Sequence, residues 1–207
     1  RYWPLILLAF MLTISCGKKS ADSLFTLLES THSGITFNNR INDQDSSISF
    51  INEFGYMGGG VGIGDFNNDG LKDIFFTGSQ VSAALYLNKG NNKLVDITAK
   101  AGLITKVWCT GVSIVDINND GYDDIYVCVL GKGIKEKSPN LLFINQHDLT
   151  FKEEAAAYGL ADLGNSTQAA FLDYDRDGDL DMYLNNYLLS SRNANDIYPR
   201  DKSGYSP

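Results

Sequence analysis

Apolar residues in this chain alternate with polar residues or glycine in short bursts and do not recur at helical spacing. Val61/Ile63 and Ile74/Phe76 flank one cluster of Asp, Asn and Gly, and Val112/Ile114 and Ile125/Val127 flank another. A period of two on both sides of a turn-forming cluster predicts antiparallel β-hairpins. The pattern recurs as GVGIGDFNNDGLKDIFFTG from Gly60, GVSIVDINNDGYDDIYVCV from Gly111 and QAAFLDYDRDGDLDMYLNN from Gln168. The leading aspartates, Asp65, Asp116 and Asp173, are spaced by 51 and then 57 residues, a length that suits one four-stranded propeller blade. A second element keeps step with the first. ALYLNKGNNKLVDITAKAGL from Ala84 aligns without a gap on LLFINQHDLTFKEEAAAYGL from Leu141. It predicts third strands around Tyr86 and Phe143 and fourth strands at Leu94-Val95 and Thr150-Phe151. Single helical turns should then stop at Gly102 and Gly159. Asp22 to Ser30 reads as a lead-in to a further strand, Ile35-Thr36-Phe37. The fold class expected is all-β: four-stranded antiparallel blades forming a partial propeller of about three blades over residues 31–207.

The hairpin tips carry the chemistry. Each is a nine-residue turn with oxygen-bearing side chains at positions one, three, five and nine and glycine at six. These are Asp65, Asn67, Asp69 and Asp73 with Gly70; Asp116, Asn118, Asp120 and Asp124 with Gly121; and Asp173, Asp175, Asp177 and Asp181 with Gly178. Alternate residues of a tightly curled loop point their oxygens at one centre, which suits Ca2+, a hard cation taking six to eight oxygen ligands. The backbone carbonyl of position seven (Leu71, Tyr122, Asp179) completes the expected set, with one ion per loop and three in all. Ten ligand carboxylates repel one another at this density, and three divalent ions would bring the formal charge of −8 to about −2. An EF-hand shares the opening of the motif but needs Glu at position twelve and a following helix. Here position twelve is Phe76, Val127 and Leu184, within strand-forming sequence. Asp, Asn and Gly are also ordinary turn formers, but a turn alone gives no reason for aspartate at position nine three times.

The first residues differ from the rest. Leu5 to Met11 is an unbroken apolar run, too short to span a bilayer, and reads as a secretory signal over residues 1–15. Ser15-Cys16-Gly17 resembles a bacterial lipobox, which makes Cys16 the expected lipidation site and residues 16–30 a tether. The match departs at Thr13, where Leu is favoured, and a plainly cleaved signal or a buried N-terminal segment are the alternatives. The chain begins at Arg1 with no initiator Met and a basic region reduced to that one residue, so it reads as truncated. An extracytoplasmic location follows, as a bacterial outer-membrane lipoprotein that is periplasmic or at the cell surface, touching the membrane only through its anchor.

Composition narrows the function. A chain of 207 residues with 43% hydrophobic and 12% aromatic content can bury a core. Seventeen Lys+Arg against 25 Asp+Glu disfavours nucleic-acid binding. GxSxG, HExxH, P-loop and dinucleotide motifs are absent from the sequence. His32 and His147 sit in no metal-ligating spacing, so no catalytic residue is assigned. With the hairpin centred on Asp120, Cys128 should face position 112 on the sheet face opposite Cys109, leaving both as buried free thiols. Trp108, Tyr122, Tyr174 and Tyr187 read as packing aromatics, Lys132 to Lys137 as a solvated loop, and Arg192 to Ser206 as a polar insertion.

SGITFNN, GGGVGIGDFNNDG, LYLNKGNN and DITAKAGL together resemble the FG-GAP or VCBS repeats of integrin-α-type β-propellers, in the ASPIC and cartilage-acidic-protein-like branch. The resemblance runs from about Leu24 onward. It implies a calcium loop in each blade and a non-enzymatic scaffold for a protein or glycan partner. The alternative is an enzyme or enzyme-attached propeller acting on extracellular polymers, with its catalytic residues outside this stretch of sequence. Asn at position three in two loops departs from the family's Asp.

Overall fold

The structure, a computed structural model, describes residues 24–42, 58–130 and 137–187. The expected signal segment, Cys16, most of the basic stretch at 132–136 and the polar insertion from Arg192 lie outside them. A single helical turn, α1 (Ser30–Ser33), precedes the first sheet. There β1 (Val61–Gly64), β2 (Asp73–Phe76), β3 (Ala84–Asn88) and β4 (Leu94–Asp96) pair antiparallel in chain order. The second helical turn, α2 (Thr98–Ala101), ends on Gly102, whose φ of 77° is open to glycine without a Cβ clash. A second sheet repeats the order with β5 (Trp108–Val115), β6 (Asp124–Leu130), β7 (Leu141–Asn145) and β8 (Phe151–Glu153). The third repeat contributes β9 (Ser166–Leu172) and β10 (Asp181–Asn186), a hairpin among the described residues. The blades are those the periodicity predicts.

Radial packing follows from the contacts of the first strands, since β5 touches both β1 and β9. Every residue of β6 is buried because both faces are covered. Ile125 and Val127 join Phe75, Leu85 and Leu103 in the core between blades one and two. Tyr126 and Cys128 join Leu142, Ala169 and Phe171 in the core between blades two and three. Side chains pin neighbouring blades as well. Thr110 Oγ donates to the Ser166 carbonyl at 2.7 Å, and the Gly60 N–H donates to the Thr110 carbonyl at 2.7 Å.

Two expectations need correction. Ile35 to Phe37 forms no strand; the Thr36 N–H donates to the Tyr86 hydroxyl at 3.2 Å instead of to a ladder partner. Cys128 does not face Val112. The loop closes with Val115 opposite Asp124, which centres the hairpin half a residue earlier than Asp120 and sets Val112 against Val127. A bulge between Cys109 and Val112 then places Cys128 beside Thr110 and Gly111. The thiols remain on opposite faces, free and buried, as expected. Burial pushes the Cys109 thiol up to about 11 and that of Cys128 to about 12.

Candidate metal centre

The three hairpin tips curl in the same way. Position four adopts left-handed backbone at Asn68 (φ 56°), Asn119 (φ 56°) and Arg176 (φ 66°), and position six does so at Gly70, Gly121 and Gly178. Asparagine tolerates that region and glycine enters it freely, so the sequence NNDG sets the curl of the first two tips before any ion is considered, while the third keeps the glycine and has Arg176 at position four. The curl turns backbone donors inward. Asp65 accepts the N–H groups of Asp69 at 3.1 Å and Gly70 at 2.8 Å; Asp116 accepts those of Asp120 at 3.0 Å and Gly121 at 2.8 Å. Position five takes the N–H of position seven, at 2.8 Å from Leu71 to Asp69, 2.9 Å from Tyr122 to Asp120 and 3.0 Å from Asp179 to Asp177. Positions one, three and five therefore converge. In the third loop Asp173, Asp175 and Asp177 each offer a carboxylate oxygen, all within 4.8 Å of one another.

In the first two loops position three is an amide, and it answers part of the repulsion internally. Asn67 Nδ2 donates to Asp69 at 2.9 Å, and Asn118 Nδ2 to Asp120 at 2.8 Å. The Leu71 N–H and the Asn67 amide hold the Asp69 carboxyl below the usual carboxylate range. Three carboxylates meet in the third loop with no such amide between them. Position seven differs in side chain at each tip, which leaves the backbone carbonyl as the group that Leu71, Tyr122 and Asp179 share. The donor set is all oxygen and fits a hard divalent cation.

Position nine does something the sequence did not reveal. Asp73 and Asp124 are the first residues of β2 and β6 and are fully buried. Asp73 accepts the Phe66 N–H at 3.0 Å and the Asn88 N–H at 2.7 Å; Asp124 accepts the Ile117 N–H at 3.1 Å and the Asn145 N–H at 2.8 Å. Each carboxylate clamps the loop to the end of the third strand. That is a structural reason for aspartate at position nine, beside any role as ligand, since a carboxylate offers about four lone-pair sites. Burial raises the pKa of both, that of Asp124 to about 6, against the lowering effect of the two N–H groups. In the third loop Asp181 accepts the Tyr174 N–H at 2.9 Å and is exposed.

Other functional neighbours were missed by the sequence reading. His147 Nε2 lies 2.9 Å from Asp120 Oδ2, and its ring stacks on Tyr122 with centroids 4.1 Å apart. That hydrogen bond is the first cause of a lowered Asp120 pKa. His147 lies 27 residues from Asp120, beyond any local spacing rule. Asn145 Nδ2 donates to the Phe66 carbonyl at 2.9 Å, tying blade two to the first loop. Its recurrence opposite Asn88 in the repeat alignment was the available signal. The Asp65 N–H donates to Asp123 at 2.9 Å, and Asn68 Nδ2 donates to the Gly121 carbonyl at 2.9 Å, so the first two tips are fastened side by side.

Residues 65–127 match the family model described as FG-GAP-like repeat. Over these residues the chain is similar to FG-GAP-like repeats. The FG-GAP-like match begins at Asp65 and takes in the whole of the first two loops. The chain is 29% identical over 150 residues to cartilage acidic protein 1 of Xenopus tropicalis, covering 69% of this chain and 22% of that protein. It is 32% identical over 102 residues to cartilage acidic protein 1 of Homo sapiens, covering 49% of this chain and 14% of that protein. The chain thus spans less than a quarter of the length of these relatives.

Proposed function

We propose that this chain is a calcium-binding, non-enzymatic scaffold held outside the cytoplasm by a lipid on Cys16, whose FG-GAP-like blades present loops to a protein or glycan partner. The observation that carries the reading is the convergence of Asp173, Asp175 and Asp177 on one centre in the third tip, with the same curl in the other two. Asp65, Asn67, Asp69 and Asp73 would hold one ion, Asp116, Asn118, Asp120 and Asp124 a second, and Asp173, Asp175, Asp177 and Asp181 a third. The carbonyls of Leu71, Tyr122 and Asp179 would add to each set. A bound cation would supply the positive charge that the clustered carboxylates lack. With asparagine at position three, the first two sites carry one negative charge fewer than the third, so the third is expected to bind most tightly.

A non-enzymatic role is supported by how the carboxylates are used. Asp73 and Asp124 are each engaged by two backbone N–H groups, an arrangement that orders a loop. Calcium titration calorimetry on the chain should give three sites, and the thermal midpoint should fall on adding chelator. Indifference to both would reject the reading. Mass spectrometry of the membrane-derived protein tests the anchor: a mature terminus other than a lipid-modified Cys16 would remove that part alone.

A further inference from the structure

Two residues outside the ligand positions make the junction between the first two tips unlike the next one. Position eight of the loops is Lys72, Asp123 and Leu180, and the residue just before position one is Gly64, Val115 and Leu172. A carboxylate at position eight of the second tip therefore meets a glycine at the entry to the first. The two belong together. Asp123 Oδ2 accepts the Asp65 N–H at 2.9 Å, and a Cβ on Gly64 would lie 2.9 Å from that same oxygen, closer than side-chain carbons come. At the following junction the corresponding residues are Val115 and Leu180, whose side chains carry no acceptor. Among the described residues no hydrogen bond joins the second tip to the third. The bonds between the first two tips also land on groups that the curl itself places. The Asn68 amide extends from a left-handed residue of the first tip to the carbonyl of Gly121, a left-handed residue of the second. Asn145 adds a buried link, since its N–H donates to Asp124 and its Nδ2 to the Phe66 carbonyl. Uncurling the second tip would move Asp123 and the Gly121 carbonyl together and release both from the first.

We propose that Asp123, seated against Gly64, is a positioning residue that makes the first two tips order as one unit, so that a divalent cation entering either prepares the other while the third tip acts alone. The ions rest on the calcium reading given above; the coupling of the two loops stands without them. Ordering one loop removes part of the conformational entropy that the other must lose on binding, which is positive coupling between two sites without a change of shape. Two hydrogen bonds between the tips, each of modest net strength, set that coupling on the order of 10-fold in affinity. Asp123 itself is not at a ligand position, so its removal separates the tips without subtracting an oxygen from either site.

Amide exchange of the full chain in chelator reads the coupling without metal. Asp116→Ala removes the acceptor of the Asp120 and Gly121 N–H groups in the second tip. It is expected to speed exchange ~10-fold at Gly70 and Leu71 of the first tip and to leave Asp179 of the third unchanged. In an Asp123→Ala background the added effect of Asp116→Ala on Gly70 and Leu71 should shrink below ~2-fold, and Asp123→Asn, which keeps an oxygen acceptor, should restore it. Unaltered exchange at Gly70 and Leu71, or equal acceleration at Asp179, overturns the proposal. Calcium titration followed at the amides of Gly70, Gly121 and Gly178 is expected to move the first two together and the third at a separate concentration. Asp123→Ala should part the first two by ~10-fold. A pair that is apart in the parent, or that stays together in Asp123→Ala, overturns the proposal. If no amide responds to calcium, the calcium reading fails and the exchange result alone decides the coupling.

Discussion

Asp124 offers a test of the fold that is independent of any ion. Its buried oxygens satisfy the N–H groups of Ile117 and Asn145, so Asp124→Ala leaves two buried donors unpaired. Each such donor costs roughly 1–3 kcal/mol. The substitution also relieves the buried charge whose unfavourable desolvation raises the Asp124 pKa to about 6, which offsets part of that loss. A net destabilisation of roughly 2–4 kcal/mol remains, equivalent to a fall of roughly 5–15 °C in the thermal midpoint of a chain of this size. The measurement is a circular-dichroism melt at neutral pH in excess chelator, where the clamp is lost but no metal site is at stake. Asp124→Asn keeps one acceptor oxygen and should lose about half as much. Asp120→Ala, at an exposed carboxylate in the same loop, should cost less than about 1 kcal/mol. An Asp124→Ala protein melting within about 1 °C of its parent under these conditions would refute the clamp.

Further outcomes follow from the same geometry. Because the folded pKa of Asp124 lies above its unfolded value near ~3.9, its contribution is complete below that value and is lost as pH rises through about 6. Urea midpoints of the chelated parent should therefore show a component that falls from pH 5 to 7.5 and is missing in Asp124→Asn; parallel profiles would contradict it. Gly111→Ala drives a Cβ into the Thr167 carbonyl oxygen between blades two and three, and should cost about 2 kcal/mol or more in denaturant titration. Cys109 and Cys128, with thiols raised by burial, should ignore an aromatic disulfide reagent at pH 8 until the protein is unfolded. His147→Ala should raise the Asp120 pKa, readable by carboxyl NMR, because the hydrogen bond that lowers it is removed.

The hairpins, the third and fourth strands and the glycine-stopped turns were legible because each is a local pattern written at least twice. Val61/Ile63 against Ile74/Phe76 predicts a pairing, and the structure gives Val61 opposite Phe76 and Ile63 opposite Ile74. What was hidden depends on long-range approach. No spacing rule brings His147 to Asp120, which needs β6 and β7 paired within blade two, or Asn145 to the Phe66 carbonyl, which needs blades one and two packed together. The double use of Asp73 and Asp124 was hidden for another reason: a ligand and a clamp call for the same residue at the same place. Ile35 to Phe37 has a strand-like composition but finds a tyrosine hydroxyl instead of a neighbouring backbone. The one-residue error at Cys128 came from the loop, which closes with Val115 opposite Asp124, a half-residue offset of the hairpin centre that the hydrophobic alternation does not record.

The offset between what pairs and what packs has a practical side for anyone shortening or recombining such chains. Sheet one ends at Asp96, but Ala101 and Leu103, a few residues later, roof the apolar surface of the next sheet. A cut at the last hydrogen-bonded residue would thus strip its neighbour of cover while leaving its own ladder whole. Modules exchanged between members of this kind should be joined beyond Leu103 or Leu160, so that each donor carries the roof its recipient expects.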